Sequence, residues 1–168
     1  EFFTLVLPRQ SWRVHLIAYV DDHSRYVVSY GLHARPTTAL ALGVFRAGVG
    51  SYGPPEHVLT DQGPQYASWR GRSEYTRAMT WMEVAHLLAK RHSPKSLGKV
   101  ERFWKTLYEE FLRGAFFYDL EDARRRIGHF IDYYNFQRPH QGIKGLVPAD
   151  LEIAEAIHFP SDLLEQHP

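Results

Sequence analysis

The chain has 168 residues, 44% of them hydrophobic and 23% charged, which is typical of one folded domain with a sizeable core. It has no cysteine, which excludes disulfides and thiolate zinc sites, and no apolar run long enough to span a lipid bilayer. Its 20 Lys and Arg residues nearly balance 19 Asp and Glu residues, and the net charge is +1. This balance does not by itself indicate a nucleic-acid partner, so the placement of the charges matters more than their sum.

The first part of the chain predicts three strands joined by short turns. Apolar and β-branched runs cover residues 2–7, 14–20 and 26–32. Strands joined this closely form an antiparallel meander, and the mostly apolar second strand is expected at its centre. Between the second and third strands lies the turn sequence Asp-Asp-His-Ser.

The middle of the chain predicts a helix that crosses over to a fourth strand. The helix begins at Thr37 or Thr38, either of which can cap it, and it ends in the segment 50–55, which is rich in glycine and proline. Residues 57–60 form the fourth strand, which the crossover makes parallel to an earlier strand. The segment 66–80 is ambiguous, since its aromatic spacing suggests a helix that Gly71 interrupts. Residues 83–89 fit a short fifth strand or the end of a helix, and the turn residues that follow favour the strand.

The last part of the chain predicts helices. Residues 95–98 are expected to form a flexible basic loop, and the apolar spacing then indicates helices over 99–113 and 119–134 and a short helix at 148–151. The order of elements indicates an α/β, ribonuclease-H-like fold with a mixed five-stranded sheet flanked by helices. We expect one domain over residues 1–168, with 119–158 as its C-terminal helical part.

Two carboxylates, Asp61 and Glu101, are candidate metal ligands. Asp61 directly follows the fourth strand, and Glu101 lies beside the apolar stripe of a helix, near the predicted start of that helix. A carboxylate at a strand end and one on a facing helix can hold a hard cation such as Mg²⁺ or Mn²⁺. The alternatives are that Asp61 is a turn residue and that Glu101 is a first-turn glutamate favoured by the helix dipole.

Four segments in a specific order carry a resemblance to a known family. They are VDDHSRY at 20–26, TDQGPQY at 60–66, PKSLGKVERF at 94–103 and YNFQRPHQG at 134–142. Together they resemble the catalytic cores of insertion-sequence transposases and retroviral-type integrases, the Asp-Asp-Glu recombinases. The resemblance implies that Asp61 is the second catalytic Asp, that Glu101 is the catalytic Glu, and that the complete site holds two Mg²⁺ or Mn²⁺ ions.

The first catalytic Asp of that family has no counterpart in this sequence. No Asp precedes Asp21, so the missing residue would lie just upstream of Glu1, or Glu1 stands in for it. We expect the 168-residue chain alone to cut or join DNA feebly. Asp21 and Asp22 are expected to be structural: one accepts hydrogen bonds from the turn amides, and the other pairs with Arg25.

A cluster of cations near Glu101 suggests a contact with a polyanion. Its members are Lys95, Lys99, Arg102 and Lys105. Cations beside a metal-binding carboxylate suit a DNA backbone that lies across the site, and such phosphate contacts position DNA without specifying its sequence.

The function that the resemblance implies is metal-dependent DNA strand cleavage and strand transfer. Its partners would be the DNA of element ends and targets, with assembly of a homo-oligomer on DNA and no membrane contact. The expected location is the cytoplasm of a bacterial-type cell, at the nucleoid. Two alternatives stay open: a related nuclease that only cuts, and a catalytically inactive remnant that binds DNA or self-associates.

Overall fold

The computed structural model describes residues 2–7, 12–68, 71–89 and 94–151 of the chain. In these ranges the strands are β1 (Phe2–Leu7), β2 (Trp12–Val20), β3 (Val27–His33), β4 (His57–Thr60) and β5 (Ala85–Leu88). The helices are α1 (Thr38–Tyr52), α2 (Glu74–Trp81), α3 (Pro94–Glu110) and α4 (Leu120–Phe136). Residues 148–151 are also helical, as predicted. The order of strands and helices therefore agrees with the order read from the sequence.

The meander of β1, β2 and β3 separates two hydrophobic cores. β2 lies between its neighbours and pairs antiparallel with both. Because successive side chains of a strand point to opposite faces, Leu16 packs with α3 and α4, whereas Ile17 packs with α1 and α2. Both side chains are fully buried, and each stabilises the fold by about 1.5–3 kcal/mol. Helices therefore cover both faces of the meander.

The helix α1 begins and ends where local sequence signals place its limits. Its N-cap is Thr37, whose hydroxyl accepts a hydrogen bond from the Leu40 N–H at 3.1 Å, and it ends at Gly53, which has a φ of 83°. The helix lies close to β3 at Gly31, where an added Cβ would come within 2.5 Å of the Val44 side chain. Glycine at this strand position therefore allows the helix to pack tightly.

The turn between β2 and β3 confirms one predicted role and corrects the other. The Asp21 carboxylate accepts hydrogen bonds from the N–H groups of His23 and Ser24 at 3.0 and 2.6 Å, as predicted for one of the two aspartates. The prediction that the other pairs with Arg25 is wrong. Asp22 pairs with Lys99 of α3, and the Arg25 guanidinium donates instead to the Asp22 backbone carbonyl at 2.7 Å. A distant helix supplies the partner because it packs across the turn.

The strands β4 and β5 form a parallel pair of their own. Among the described residues, β4 pairs with β5 from His57 opposite Ala85 to Thr60 opposite Leu88, and no ladder joins this pair to the meander. A parallel pairing of β4 is thus present, but its partner is the later strand β5, reached through α2, rather than an earlier strand reached through α1.

The start of α3 differs from the prediction. Residues 95–98, expected to be a flexible loop, belong to the helix, which begins at Pro94 and ends at Glu110 rather than at Arg113. Proline is well suited to the first helical position because its φ is already helical and its missing N–H would have no partner there. The half-buried Leu97 continues the apolar spacing backwards by one turn, and Val100 packs against the core. The helix thus forms despite the cost of about 1 kcal/mol for Gly98 inside it.

The helix α4 is joined to the sheet by a buried asparagine. Asp119 caps the helix by accepting a hydrogen bond from the Asp122 N–H at 2.8 Å. Near the other end, Asn135 bonds both backbone groups of Val27 on β3, at 2.9 and 3.1 Å. Within the described residues, no helix is both long and apolar enough to cross a lipid bilayer.

Candidate active site

Asp61 lies on a fixed backbone directly after β4. Its Oδ1 accepts a hydrogen bond from the Gly63 N–H at 3.2 Å, and the residue is half-buried. The Ala89 N–H donates to the Thr60 carbonyl at 2.8 Å, and the Gln62 amide donates to the Ala89 carbonyl at 3.0 Å. In the part of the chain that the structure describes, no cation pairs with Asp61. Its charge is therefore available to a bound ion.

A chain of neutral hydrogen bonds supports the end of β4. The Thr60 hydroxyl donates to the Asp61 carbonyl at 3.1 Å and lies 2.9 Å from His86 Nε2. A neutral ring satisfies both hydroxyls by donating through one nitrogen and accepting through the other, with Nδ1 2.9 Å from the Thr76 hydroxyl. Burial lowers the pKa of His86, which favours this neutral ring. The sequence analysis did not single out His86 for this role.

Tyr75 joins this chain of hydrogen bonds to the core. Its ring packs edge-on against Tyr66 and against His86, with ring centroids 4.9 Å apart in both contacts. Its hydroxyl lies 2.8 Å from the Tyr19 hydroxyl. Burial raises the pKa of both tyrosines, so both stay neutral at ordinary pH. Asp61 is thus held in place without a counter-charge beneath it.

Glu101 lies on α3 with its side chain exposed. The helix begins seven positions earlier (101 − 94 = 7), so the expectation that Glu101 is a first-turn residue favoured by the helix dipole is wrong. Among the described residues, no cation pairs with Glu101. Lys105, one turn further along, lies 3.8 Å from Glu109 instead.

The two candidate carboxylates are chemically suited to bind a divalent metal ion. Asp61 and Glu101 offer oxygen donors, which Mg²⁺ and Mn²⁺ prefer, and neither has to leave an ion pair to bind one. Within the described residues, no group of three or more His, Asp or Glu side chains is arranged to hold a metal ion. Glu1, the predicted stand-in for the first Asp, lies outside those residues.

The predicted DNA-binding cations occupy different surroundings. Lys99 pairs with the Asp22 carboxylate and also donates to its backbone carbonyl at 2.8 Å. Arg102 is exposed and has no ion pair among the described residues. Lys95 belongs to α3, but its side chain lies outside the described part of the structure.

A basic pocket of about 710 Å³ lies between the β2–β3 turn, α3 and the loop that follows α4. The cations that line it are Arg25, Lys99, Arg102 and Arg138. Arg138 forms a two-pronged contact with Glu110, in which Nη2 and Nε lie 2.6 and 2.8 Å from the carboxylate oxygens. Hydrogen bonding to Arg138 lowers the pKa of Glu110. The sequence analysis missed Arg25 and Arg138 because they are 113 positions apart (138 − 25 = 113), although both lie in segments that carry the family resemblance.

Two protein-family models match this chain. A family model described as an integrase core domain matches residues 2–94, which is more than half of the chain. The chain belongs to the integrase core domain family. A second model with the same description matches residues 82–148, so Asp61 lies within the first match and Glu101 within the second. The resemblance read from the four segments is confirmed.

Curated relatives of this integrase core domain come from bacterial insertion elements. The chain is 28% identical over 149 residues to the transposase for insertion sequence element IS904 of Lactococcus lactis. It is 30% identical over 139 residues to an uncharacterized 31.7 kDa protein of insertion element IS407 of Burkholderia multivorans. These matches cover 87% and 82% of this chain but 57% and 48% of the relatives. The chain thus spans about half the length of the curated relatives that it matches.

Solved structures share the fold of this integrase core domain. A chain of the simian T-cell lymphotropic virus intasome in complex with PP2A regulatory subunit B56 gamma has a TM-score of 0.69 and 23% identity, covering 100% of this chain and 55% of that chain. The HTLV-2 integrase catalytic core domain in complex with magnesium has a TM-score of 0.66 and 20% identity, covering 89% and 90%. At such identities the likeness shows the fold alone, and it confirms the predicted ribonuclease-H-like α/β class.

Proposed function

We propose that this chain is the catalytic core of a DNA transposase or integrase, which cleaves a DNA strand and transfers it in a reaction that needs divalent metal ions. The observation that carries the proposal is the integrase core domain match over residues 2–94 and 82–148. The named activity of the IS904 relative, a transposase, supports strand transfer rather than cutting alone.

Asp61 and Glu101 are the proposed metal ligands. When bound, two divalent ions would activate a water or a 3′-hydroxyl and stabilise the leaving oxygen of a phosphodiester. The backbone bonds around Asp61 orient its carboxylate, and the exposed Glu101 side chain has no ion pair among the described residues that binding would have to break. Glu1 would supply the third carboxylate of the set. The magnesium in the HTLV-2 core favours Mg²⁺ as the ion here.

The proposal also concerns how the five strands join into one sheet. We infer that β4 lies parallel to β1, which makes one mixed five-stranded sheet within a single domain over residues 1–168, with 119–158 as its C-terminal helical part. Two observations support this arrangement. Val58 of β4 packs in the same core as Ile17 of β2, and β1 pairs with β2 on one edge, which leaves its other edge for β4 among the described residues.

The proposed partners are DNA and further copies of the chain. The DNA comprises the ends of a mobile element and its target, and a homo-oligomer would assemble on it in the bacterial cytoplasm, at the nucleoid. Support comes from the solved relatives, which include an intasome and a trimeric form of the HTLV-2 core, and from the bacterial sources of the curated relatives.

The decisive experiment replaces each proposed ligand with its amide. Asp61→Asn and Glu101→Gln should each lower Mg²⁺-dependent nicking of a duplex with element ends by more than about a hundredfold, since even residues behind a metal ligand are worth 10–100-fold. The assay uses the product of the complete reading frame beside the 168-residue chain. Isothermal calorimetry with Mn²⁺ gives a second readout, in which both variants should lose ion binding.

Asp132→Asn and Glu74→Gln are matched controls, because both acids are exposed and lie outside the proposed site. They should nick DNA and bind Mn²⁺ like the unchanged protein. If the unchanged protein neither nicks nor binds Mn²⁺ but still binds DNA, the proposal is wrong and the inactive remnant is the better description.

A further inference from the structure

We propose that the basic pocket binds a backbone phosphate of a nucleic-acid strand, with Arg25 and Arg102 as the residues that contact it. The inference rests on the proposed function for the identity of the strand. It adds Arg25, and a pocket in which Arg25 meets Arg102, to the cations predicted from the sequence near the proposed metal ligand Glu101.

The charges of the pocket are only partly compensated. Of its four cations, Lys99 pairs with Asp22 and Arg138 pairs with Glu110. Arg25 and Arg102 have no ion pair among the described residues, which leaves two uncompensated positive charges (4 − 2 = 2). The two ion pairs hold the walls of the pocket. The two guanidiniums without an ion pair attract an anion, and that of Arg25 also donates to the Asp22 backbone carbonyl at 2.7 Å. Guanidinium groups suit phosphate because their fork of donors matches its oxygens.

Arg25 is held toward the pocket by an unusual backbone conformation. Its φ is 70°, in the left-handed region, which costs a residue with a side chain about 1–2 kcal/mol. The turn keeps it there: the Arg25 N–H donates to the Asp21 carbonyl at 3.1 Å, and its guanidinium donates to the Asp22 carbonyl at 2.7 Å. Asparagine or glycine would fit this conformation more easily. The conformation therefore fixes where the Arg25 side chain leaves the turn, which is toward the pocket that it lines.

Two side chains that line the pocket, His140 and Tyr134, lie close enough to Arg25 and Arg138 for these charges to shift their pKa values. Burial lowers the pKa of His140, and the charges of Arg138 and Arg25 lower it further. Burial raises the pKa of Tyr134 to about 12, against the opposing effect of the same two guanidiniums. The two arginines therefore converge on one region. The Tyr134 hydroxyl has no hydrogen-bond partner among the described residues, so it can donate to a bound anion.

The surroundings of the pocket favour a polyanion over a single ion. A second recess of about 460 Å³ adjoins it, shares Arg25 and Lys99, and adds Lys144, which has no ion pair within the described ranges. Asp22 also lines this recess, where it pairs with Lys99. Repeated phosphates could occupy both recesses. Arg102 directly follows Glu101 and so lies about 100° further round the axis of α3. A strand that lies across this helix can therefore contact the pocket and the proposed metal ligand together.

The test measures DNA binding by fluorescence anisotropy, with a fluorescein-labelled duplex, EDTA and a series of salt concentrations. Arg25→Asn and Arg102→Gln should each weaken binding about tenfold at about 50 mM salt and flatten the slope of log K against log[salt] by about 0.9, the effect of one lost phosphate contact. Arg46→Gln is the matched control for a helical arginine, since Arg46 is exposed on α1 and lies outside the pocket. It should leave affinity and slope unchanged.

Folding is controlled by the choice of residue at position 25. Asparagine tolerates the left-handed conformation, so Arg25→Asn should melt at the same temperature as the unchanged chain or a higher one. An equal loss of binding in Arg46→Gln, or no loss in Arg25→Asn, would overturn the inference. So would tight binding of inorganic phosphate, at matched ionic strength, that leaves duplex binding unaffected, because the pocket would then be a site for a free anion.

The test needs no metal, so its result is separable from that of the proposed function. If Arg25→Asn loses DNA binding while Asp61→Asn and Glu101→Gln nick DNA normally, the proposed metal ligands are wrong and the proposed phosphate site is supported. If the two ligand variants lose nicking while Arg25→Asn binds DNA normally, the proposed function stands and only the proposed phosphate site is wrong.

Discussion

The support beneath Asp61 and the lining of the basic pocket hold their functional groups with different chemistry. Beneath Asp61, the Thr60 hydroxyl, the His86 ring and the Thr76 hydroxyl form a chain of neutral hydrogen bonds. In the basic pocket, charged groups pair with charged groups, as Arg138 does with Glu110. The first arrangement leaves a carboxylate without a counter-charge, and the second leaves guanidiniums in excess. A cation is therefore attracted to one region and an anion to the other.

The two regions also differ in burial, for a physical reason. Tyr75, in the neutral region, is 0% exposed, whereas the side chains of Arg138 and Glu110 keep 23% and 38% of their surface. Burying a neutral group that makes its hydrogen bonds costs little, but removing an ion pair from water costs more than its attraction returns unless the geometry is excellent. We therefore expect the neutral region to contribute more to stability and the charged region more to binding.

The largest expected effect is the loss of Tyr75. Tyr75→Ala should lower the free energy of unfolding by about 3–5 kcal/mol, because it removes a fully buried ring that packs against Tyr66 and His86. Tyr75→Phe keeps the ring and removes only the hydrogen bond to Tyr19, so it should cost about 1 kcal/mol. Urea unfolding of the 168-residue chain measures both, and equal costs would mean that the hydroxyl rather than the ring holds this region together.

A smaller effect is expected from the ion pair at the pocket. Arg138→Gln should lower the free energy of unfolding by about 1 kcal/mol, because the pair is partly exposed and water screens it. Arg138→Lys keeps the charge but not the two-pronged geometry, and it should recover only part of the loss. A cost as large as that of Tyr75→Ala in the same urea series would contradict the proposed difference between the two regions.

The smallest expected effect is a dependence of stability on pH. Burial lowers the pKa of His86 and of His140 below the ordinary value of 6.5, so the unfolded chain takes up protons at a higher pH than the folded chain does. Stability should therefore be full above pH 6.5 and fall as the pH decreases through the lowered folded values. Urea unfolding at pH 7.5 and 5.5 measures the change.

The pH effect can be assigned with single variants. His86→Gln and His140→Gln should each reduce the loss of stability at low pH, whereas the exposed His129→Gln should leave it unchanged. Glu110 affects stability in a different, lower range of pH. Hydrogen bonding to Arg138 lowers its pKa below 4.5, so its contribution is present above pH 4.5 and lost only below it. A decrease confined to pH values below 4.5 would show that the histidines do not contribute.

Much of the fold was predictable because its signals are local. The strand 57–60 and the cap at Thr37 follow from residues that lie within a few positions of each other. The start of α3 was not predictable in the same way. Gly98 and the polar residues around it indicated a loop, but the helix whose Val100 packs against the core extends backwards through them. The candidate acids were found because each stands beside an apolar run, whereas Arg25 and Arg138 stand in turns whose partners the sequence does not show.

The family, the order of elements and the placement of Asp61 after a strand and Glu101 on a helix could be read from the sequence, because motif order and apolar spacing are properties of nearby residues. The tertiary structure alone decided which side chains meet. Asp22 pairs with Lys99 across 77 positions (99 − 22 = 77), and His86 rather than a nearer residue supports Thr60. Such partners depend on how helices pack over strands, because packing brings charges together from distant parts of the chain, and no local pattern encodes that geometry.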